Sequence, residues 1–399
     1  MARNLDLAAW RDLDWRATLS KLLNLRDFDA TLMICLLALL MLGYVAMGSA
    51  SIEFADSRYG NPFHHVTRHG VYLVIALTLG LMVYQLPTAL LQDNGGWLLL
   101  LGFVLLAMVL LFGKEVNGSK RWLALGPLTL QVSELVKLFV LLYVAGYLVR
   151  KQDEVRTHWV GFIKPMLVMA VLIVLLLAEP DFGAAVVMTA SVMGMLFLGG
   201  ARLWQFIALS AVSVAAAATM VMTSEYRMKR LLSYTDPWAN QFDGGYQLVQ
   251  SLIAFGRGEW FGVGLGNSVQ KLSYLPEAHT DFVVAILAEE LGAAGVLLVL
   301  MLFSALIGRM LWIAFRSQRA GLLFGAYVAY GAAFLIAFQV FINLGVNTGL
   351  LPTKGLTLPF FSYGGSSLIS CVVLVALVAR AKQQLDQVEP TAVGRGGRA

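Results

Sequence analysis

The chain has 399 residues, of which 59% are hydrophobic and only 13% carry a charged side chain, and its formal net charge is +5. So few charges argue against a soluble domain of this length, and apolar runs of about twenty residues instead indicate a polytopic helical membrane protein. The runs do not alternate as β-barrel strands do, and the basic residues flank the runs, so nucleic acid is not an expected partner.

Ten membrane spans are predicted, and together they form one all-α domain over residues 30–382. Polar residues precede the first span, which is therefore predicted to be retained rather than cleaved as a signal peptide. Residues 1–29 are predicted to form a cytoplasmic arm, and the polar residues 383–399 a disordered cytoplasmic tail. The spans are residues 30–50, 70–87, 97–113, 131–149, 159–178, 184–200, 203–222, 282–308, 321–346 and 364–381.

Lysines and arginines cluster before the first span and after the fourth, sixth, eighth and tenth spans. The positive-inside rule therefore predicts that both termini are cytoplasmic. The remaining loops would be periplasmic in a two-membrane bacterium, and they are residues 51–69, 114–130, 179–183, 223–281 and 347–363. Cys35 and Cys371 both fall in apolar runs, so two free buried thiols are expected.

The outer loop 223–281 is a long polar interruption that delivers an aspartate, Asp281, to the start of an apolar helix. An aspartate at this position can cap the helix. It can also act as a general base if its surroundings raise its pKa or if the substrate hydroxyl is activated. The two roles are compatible. His279 is a second candidate base, ranked lower because a lone loop histidine is more often incidental.

Two adjacent acids, Glu289 and Glu290, lie roughly 12–14 Å beyond Asp281 along the same predicted helix. Neighbouring helical residues point in different directions, so at least one of the two must face the bundle interior. We favour a structural ion pair with Lys137 of the fourth span over a catalytic role. Glu134 is spaced i, i+3 from Lys137 and can also pair with it.

The run Glu179-Pro180-Asp181 is predicted to lie at the outer mouth between two spans. It is either a solvated tight turn or, together with Asp281, a carboxylate cluster that could gather a divalent cation. The sequence leaves these alternatives open, because it cannot show whether the three acids converge.

Cations on the outer face need an explanation in a protein that obeys the positive-inside rule. A phosphate-bearing lipid headgroup is one explanation, and salt bridges to Glu115 or Glu277 are the other. The sequence contains no P-loop, Rossmann fingerprint, nucleophile elbow or zinc spacing, which argues against nucleotide-driven transport and against hydrolases. The cations are Lys114, Lys120, Arg121 and Lys354.

Several motifs resemble the SEDS family of peptidoglycan polymerases, over nearly all of residues 30–382. The form of the 352–355 motif and of the 257–260 run resembles the cell-division branch of that family more than the elongation branch. The motifs are Lys120-Arg121-Trp122, Ser133-Glu134-Leu135-Val136-Lys137, Glu179-Pro180-Asp181-Phe182-Gly183, Arg257-Gly258-Glu259-Trp260, Pro276-Glu277-Ala278-His279-Thr280-Asp281-Phe282, Ala288-Glu289-Glu290-Leu291-Gly292, Pro352-Thr353-Lys354-Gly355 and Leu358-Pro359-Phe360-Phe361-Ser362-Tyr363-Gly364-Gly365-Ser366-Ser367.

The resemblance implies a ten-span glycosyltransferase that joins lipid II units into β-1,4 glycan strands at the outer face of the inner membrane, enriched at the division septum. It implies that Asp281 is the catalytic residue. It also implies partners: a class B penicillin-binding transpeptidase (FtsI) and the FtsQ–FtsL–FtsB complex. Lys120, Arg121, Lys354 and His279 are the candidates for contacting the pyrophosphate or the headgroup.

The implied reaction inverts the anomeric carbon, so one base that deprotonates the acceptor 4-hydroxyl is enough. Lysine, arginine or a divalent cation (Mg²⁺ or Mn²⁺) would balance the charge of the leaving pyrophosphate. The alternative function is a lipid II translocator, for which Glu134, Lys137, Glu289 and Glu290 would line a polar path across the membrane. A purely structural role as a division scaffold ranks lowest.

Overall fold

The computed structural model describes residues 29–116, 119–126, 128–222, 234–352 and 355–395, and within these ranges the chain is a helical bundle with one small sheet. The predicted N-terminal arm, except Asp29, lies outside the described residues. The helices are α1 Ala30–Tyr59, α2 His64–Gln85, α3 Thr88–Phe112, α4 Val132–Arg150, α5 Gln152–Thr157, α6 Trp159–Ala178, α7 Phe182–Leu198, α8 Leu203–Met222, α9 Tyr246–Gly258, α10 Val283–Arg319, α11 Leu323–Asn347 and α12 Gly365–Arg395; the strands are β1 Lys114–Val116, β2 Ser119–Leu125 and β3 Leu128–Gln131.

The helical membrane class predicted from the sequence is confirmed, because eight of the helices in the described ranges are long and apolar enough to cross a membrane. These are α1, α2, α3, α4, α6, α10, α11 and α12. Two shorter apolar helices, Phe182–Leu198 and Leu203–Val212 (the first part of α8), fall where the sixth and seventh spans are predicted. The count of ten therefore stays a prediction. Cys35 and Cys371 are buried free thiols, as expected.

The structure adds elements that the hydrophobic pattern does not indicate. Most of the predicted outer loop 114–130 folds as an antiparallel sheet in the order β1-β2-β3, in which Leu125 pairs with Leu128. The predicted loop 223–281 contains α9, which buries Leu248, Val249 and Ala254.

The C-terminal boundary of the bundle also differs from the prediction. Helix α12 continues to Arg395, so it covers residues 383–395, where a disordered tail is predicted. Leu385 is fully buried, and Gln384 donates a hydrogen bond to Thr88 of α3, and these contacts hold the added turns on the bundle.

Two contacts between α1 and α10 define the height of the bundle. At one end Asp29 caps α1 and pairs with Arg309 of α10, with 2.6 Å between Oδ2 and Nη2. About 30 Å further along both helices, at 1.5 Å per residue, Ser49 of α1 donates to Glu290 of α10 at 2.7 Å. Glu290 thus lies near the edge of a hydrocarbon layer about 30 Å thick. We call this edge the Asp281 end of the bundle.

Helix α10 is broken at Gly292, where φ is 68° and ψ is −170°. The break would leave backbone groups without partners, and the segment that follows α9 supplies them. Val263 and Gly264 donate to the carbonyls of Glu289 and Glu290, at 3.0 and 3.1 Å. The amide of Ala293 in turn donates to the Glu259 carbonyl at 2.8 Å. The first part of α10, residues 283–291, is therefore a half-helix that belongs to the Asp281 end.

The break makes Gly292 a position that only glycine tolerates. A Cβ there would lie 2.5 Å from the backbone of Gly262 and Trp260, at a φ that L-residues rarely adopt. Gly292→Ala should therefore lower stability by roughly 3 kcal/mol through strain and overpacking. Apparent Tm in detergent measures this effect.

The matched control is Gly308→Ala in the same helix, where nothing lies within 4 Å of the added Cβ. This change should be neutral or stabilising by up to about 1 kcal/mol. Equal apparent Tm values for the two variants would contradict the assigned break.

Candidate active site at the start of α10

Asp281 stands at the end of a tight turn that is closed by Glu277. Glu277 adopts a left-handed conformation, with φ 57°. Its carbonyl accepts the amides of Thr280, Asp281 and Phe282 at 3.1 to 3.3 Å, and its carboxylate accepts the Thr280 hydroxyl at 2.8 Å. The turn therefore holds its own shape and places Asp281 just before α10.

The Asp281 carboxylate does not cap the helix, so the capping role weighed from sequence is wrong. The N-cap of α10 is Phe282, and no side chain caps it. Within the described part of the chain, no donor contacts the Asp281 carboxylate. The carboxylate is partly buried and remains available for chemistry.

The backbone of Asp281 is fixed by two amide side chains of α11 that the sequence reasoning passed over. Asn343 and Asn347 each donate from Nδ2 to the Asp281 carbonyl, both at 3.0 Å. Asn343 also donates to the Leu356 carbonyl at 2.6 Å, which ties the 355–365 loop to the same point. Both asparagines are buried. Their i, i+4 spacing in an otherwise apolar helix is the signal that could have identified them.

The surroundings of Asp281 raise its pKa to about 7, because of burial first and the negative charge of Glu277 second, with the Arg121 guanidinium opposing both. Gly355 packs against the carboxylate so closely that a Cβ there would lie 2.7 Å from Oδ2. Asp281 thus meets the condition stated from sequence for a general base, a raised pKa near neutrality.

Arg121 of β2 clamps the connection between α6 and α7. Its Nε donates to the Glu179 carbonyl at 3.2 Å, and its Nη2 donates to the Pro180 carbonyl at 2.6 Å. Its charge lowers the pKa of both Glu179 and Asp281, although burial outweighs it at each. Arg121 therefore combines a structural role with a positive field at the site.

Both acids of the predicted solvated turn at 179–181 are instead buried. Glu179 is fully enclosed, and burial, with the nearby Asp181 charge, raises its pKa to about 8. Asp181 caps α7 by accepting the amide of Ala184, and it accepts the Ser133 hydroxyl at 2.7 Å. Asp181 therefore links α7 to α4, whereas the Glu179 carboxylate has no hydrogen-bond partner among the described residues.

The structure does not assemble Glu179, Asp181 and Asp281 into a metal site. The described ranges contain no group of three or more His, Cys, Asp or Glu side chains placed to hold a metal ion. Of the candidate cations, Lys120 is exposed on β2. Lys354 lies outside the described residues, and the side chain of Lys114 is not described.

The intramembrane charges pair differently from the sequence-based prediction. Lys137 pairs with Glu134 at 2.7 Å, as the i, i+3 spacing predicts, and both side chains are buried. The favoured ion pair between Lys137 and Glu289 or Glu290 is wrong. The half-helix at the Asp281 end holds those two acids against the segment after α9, where the sequence showed no obvious partner.

Glu289 and Glu290 organise the segment between α9 and the Asp281 turn. Glu289 accepts the amides of Val269 and Gln270, at 3.1 and 3.2 Å. Arg257 lies 3.5 Å from Glu289, and Ser268 donates to it as well. Glu290 accepts Lys271 Nζ at 2.7 Å as well as Ser49 of α1. A structural role for the two acids is thus supported, with partners other than Lys137.

His279 is packed away from the position expected of a base. Its ring is buried against Phe54 and His65, with ring centroids 4.7 and 5.1 Å apart. Burial lowers the pKa of His279 to about 4, so the ring is a weak base and is neutral at physiological pH. The geometry therefore favours Asp281 over His279.

The chain is similar to known proteins over most of its length. The FTSW_RODA_SPOVE family model, described as a cell cycle protein, matches residues 30–387. A Halomonas elongata protein named probable peptidoglycan glycosyltransferase FtsW is 50% identical over 390 residues, 96% of this chain and 98% of the relative. A Nitrosococcus halophilus protein of the same name is 55% identical, over 88% of this chain and 91% of the relative.

Two solved structures share the fold. One, described as "Structural coordination of polymerization and crosslinking by a peptidoglycan synthase complex", has a chain with TM-score 0.76 and 30% identity, covering 90% of this chain and 99% of its own length. The other is the Thermus thermophilus rod shape determining protein RodA, with TM-score 0.66 and 29% identity, covering 90% of this chain and 97% of its own.

Removal of the Glu289 carboxylate should loosen the segment that precedes Asp281. Glu289→Ala leaves Arg257, Ser268 and two amides without their acceptor. The Arg257 side chain is 45% exposed and stays solvated, so the cost comes mainly from the other donors, about 1–3 kcal/mol. We expect a lower apparent Tm and faster proteolysis between residues 259 and 281. Glu53→Ala, at an exposed acid of α1, is the control. Identical proteolysis rates for the two variants would show that Glu289 does not hold the segment.

Proposed function

The chain belongs to the FtsW/RodA/SpoVE family of cell cycle proteins, and we propose that Asp281 is the general base with which it polymerises lipid II. It is a peptidoglycan glycosyltransferase and an integral membrane protein. The observation that carries the assignment of Asp281 is the state of its carboxylate. The carboxylate does not cap α10, it is partly buried, and its pKa is about 7, while the backbone of Asp281 is held by Asn343.

The proposed reaction needs one proton acceptor. The Asp281 carboxylate takes the proton of the acceptor 4-hydroxyl while that oxygen attacks the donor's anomeric carbon. The bond from this carbon to the pyrophosphate oxygen breaks, and undecaprenyl pyrophosphate leaves with the bonding electrons. Inversion at the carbon follows from attack opposite the leaving group, so no second carboxylate is required.

We propose that cations of the outer face support departure of the pyrophosphate. Arg121 spends two donor groups on the Glu179 and Pro180 carbonyls, so its contribution is mainly the charge it brings to the site. We propose that Lys120 and Lys354 contact the pyrophosphate or the headgroup directly. A divalent cation here would need substrate oxygens as ligands, as Mg²⁺ commonly does, and no step above depends on it.

The setting of the reaction is also proposed. We place both termini in the cytoplasm and the Asp281 end at the periplasmic face of the inner membrane, because the Lys and Arg distribution favours this orientation. The similar solved chain belongs to a peptidoglycan synthase complex. We propose that its partners are a class B penicillin-binding transpeptidase (FtsI) and the FtsQ–FtsL–FtsB complex. We also propose that it is enriched at the division septum.

The translocator alternative gains no support from the charges that it would use. Glu134 and Lys137 are buried and paired with each other. Glu289 and Glu290 hold the segment after α9 and lie near the edge of the hydrocarbon layer. A polar path across the membrane would require these pairs to open.

Asp281→Asn should lower glycan synthesis from labelled lipid II at least about 100-fold, the usual contribution of a general base. The variant is assayed as a folded complex with its transpeptidase partner. Asp243→Asn, at an exposed aspartate of the same outer segment, should stay fully active. Full-length glycan from folded Asp281→Asn would remove the base assignment, and headgroup crossing in liposomes by this inactive variant would favour translocation as a separate activity.

The pH profile of polymerisation should reflect the raised pKa of Asp281. A base works only when deprotonated, so the rate should rise with pH through a midpoint of about 7. Glu277→Gln keeps an acceptor for Thr280 but removes a negative charge that raises this pKa, so the midpoint should move to lower pH. Glu115→Gln, an exposed acid of β1, should leave the midpoint in place. A midpoint unmoved by Glu277→Gln would mean that another group titrates.

A further inference from the structure

Four of the chain's five histidines gather at the Asp281 end, around the loop that leads to Asp281. They are His64, His65 and His69 at the start of α2, and His279 in the turn. Sequence reasoning considered only His279, because the other three lie more than two hundred positions earlier. Only His65 contacts both His279 and the loop before α12.

His65 is enclosed by five aromatic rings, those of Phe54, Tyr59, His64, His279 and Tyr363. Its ring stacks on His279 at a centroid distance of 5.1 Å and an interplanar angle of 25°. Tyr363 meets it edge-on, at 4.5 Å and 66°, and Phe54 of α1 lies 5.8 Å away. Such stacked and edge-to-face arrangements stabilise aromatic pairs beyond the burial of their surface. Three separate parts of the chain, α1, the turn before Asp281 and the loop before α12, therefore converge on the His65 ring of α2.

The nitrogens of His65 take no part in this arrangement. The residue is 5% exposed, and among the described residues neither Nδ1 nor Nε2 has a hydrogen-bond partner. An imidazole that is buried without partners gains nothing from its polar atoms and contributes only its flat aromatic surface. His65 therefore contributes ring packing and no hydrogen bond among the described residues.

The His65 ring is linked to Asp281 through His279. His65 stacks on His279, which lies two residues before Asp281, and the His279 carbonyl accepts the amide of Tyr363 at 2.8 Å. On the other side, Asn343 and Asn347 hold the Asp281 carbonyl. Aromatic rings fix the entry of the turn and amides fix its exit. If the His65 ring is lost, the entry keeps Phe54 and the Tyr363 hydrogen bond but is held less firmly, whereas the exit is unchanged.

We propose that His65 is a positioning residue for Asp281, which acts by stacking on His279 and not by acid–base chemistry. The proposal rests on the proposed role of Asp281. A displacement of a reacting group by about 1 Å can cost up to 100-fold in rate. Loss of the His65 ring should therefore lower kcat more than it weakens substrate binding. A ring without nitrogens should replace it.

The experiment compares His65→Ala with His65→Phe in the full chain, complexed with its transpeptidase partner and given labelled lipid II. His65→Ala should lower kcat about tenfold and leave KM within about twofold, whereas His65→Phe should keep at least half of the kcat. His158→Ala is the control, since this fifth histidine is exposed and outside the cluster, and it should match wild type. If His65→Ala does not fold, His65→Leu takes its place with the same expectation.

The pH profile separates positioning from general loss of folded protein. A looser turn gives the Asp281 carboxylate more solvent, so the midpoint near 7 should fall in His65→Ala and stay in His65→Phe. Fewer active molecules would lower the rate without moving the midpoint, and that result would overturn the proposal.

Two further outcomes would also overturn it: a phenylalanine variant as inactive as the alanine variant, or an alanine variant with full kcat. Full activity of Asp281→Asn would instead contradict the base assignment itself, and the glycan-synthesis assay of that variant tests this separately.

Discussion

The position of Asp281 depends on its backbone carbonyl, which accepts hydrogen bonds from Asn343 and Asn347 of α11. Because the main chain of Asp281 is held in this way, its side chain is not needed to hold the turn, and the carboxylate does not cap α10. The break at Gly292 makes this arrangement possible, since it separates a half-helix of nine residues, 283–291, from the part of α10 that crosses the membrane. The segment after α9 satisfies the backbone groups freed by the break.

The acids in the described part of this apolar chain differ in how their charge is stabilised. Glu134, Glu289 and Glu290 each have a cationic partner, and Asp181 accepts hydrogen bonds from a helix amide and from Ser133. Asp281 and Glu179 have no such partner at the carboxylate, and both have a pKa raised mainly by burial. Glu179 is fully enclosed, whereas Asp281 is partly accessible. Of the two acids, only Asp281 can therefore meet a substrate hydroxyl.

The sequence was sufficient for the membrane class, for the i, i+3 pair of Glu134 and Lys137, and for singling out Asp281, because these follow from local composition, spacing and motif. It was insufficient for the partners of Glu289 and Glu290. The expectation of Lys137 assumed an unbroken helix, whereas Gly292 turns these acids towards Arg257 and Lys271. The stack of His65 on His279 joins residues far apart in the chain, and no local pattern indicates such a contact. The strands at 114–131 were missed because a short sheet lacks a long alternating pattern.

The most direct test of the role of Asp281 is a structure of the folded Asp281→Asn variant, in its complex, with lipid II and an acceptor glycan bound. The amide at position 281 should lie within hydrogen-bond distance, about 2.6–3.2 Å, of the acceptor 4-hydroxyl, with the donor's anomeric carbon on the far side of that oxygen. An acceptor hydroxyl that instead meets Glu277, His279 or no protein side chain would contradict the assignment of Asp281 as the base.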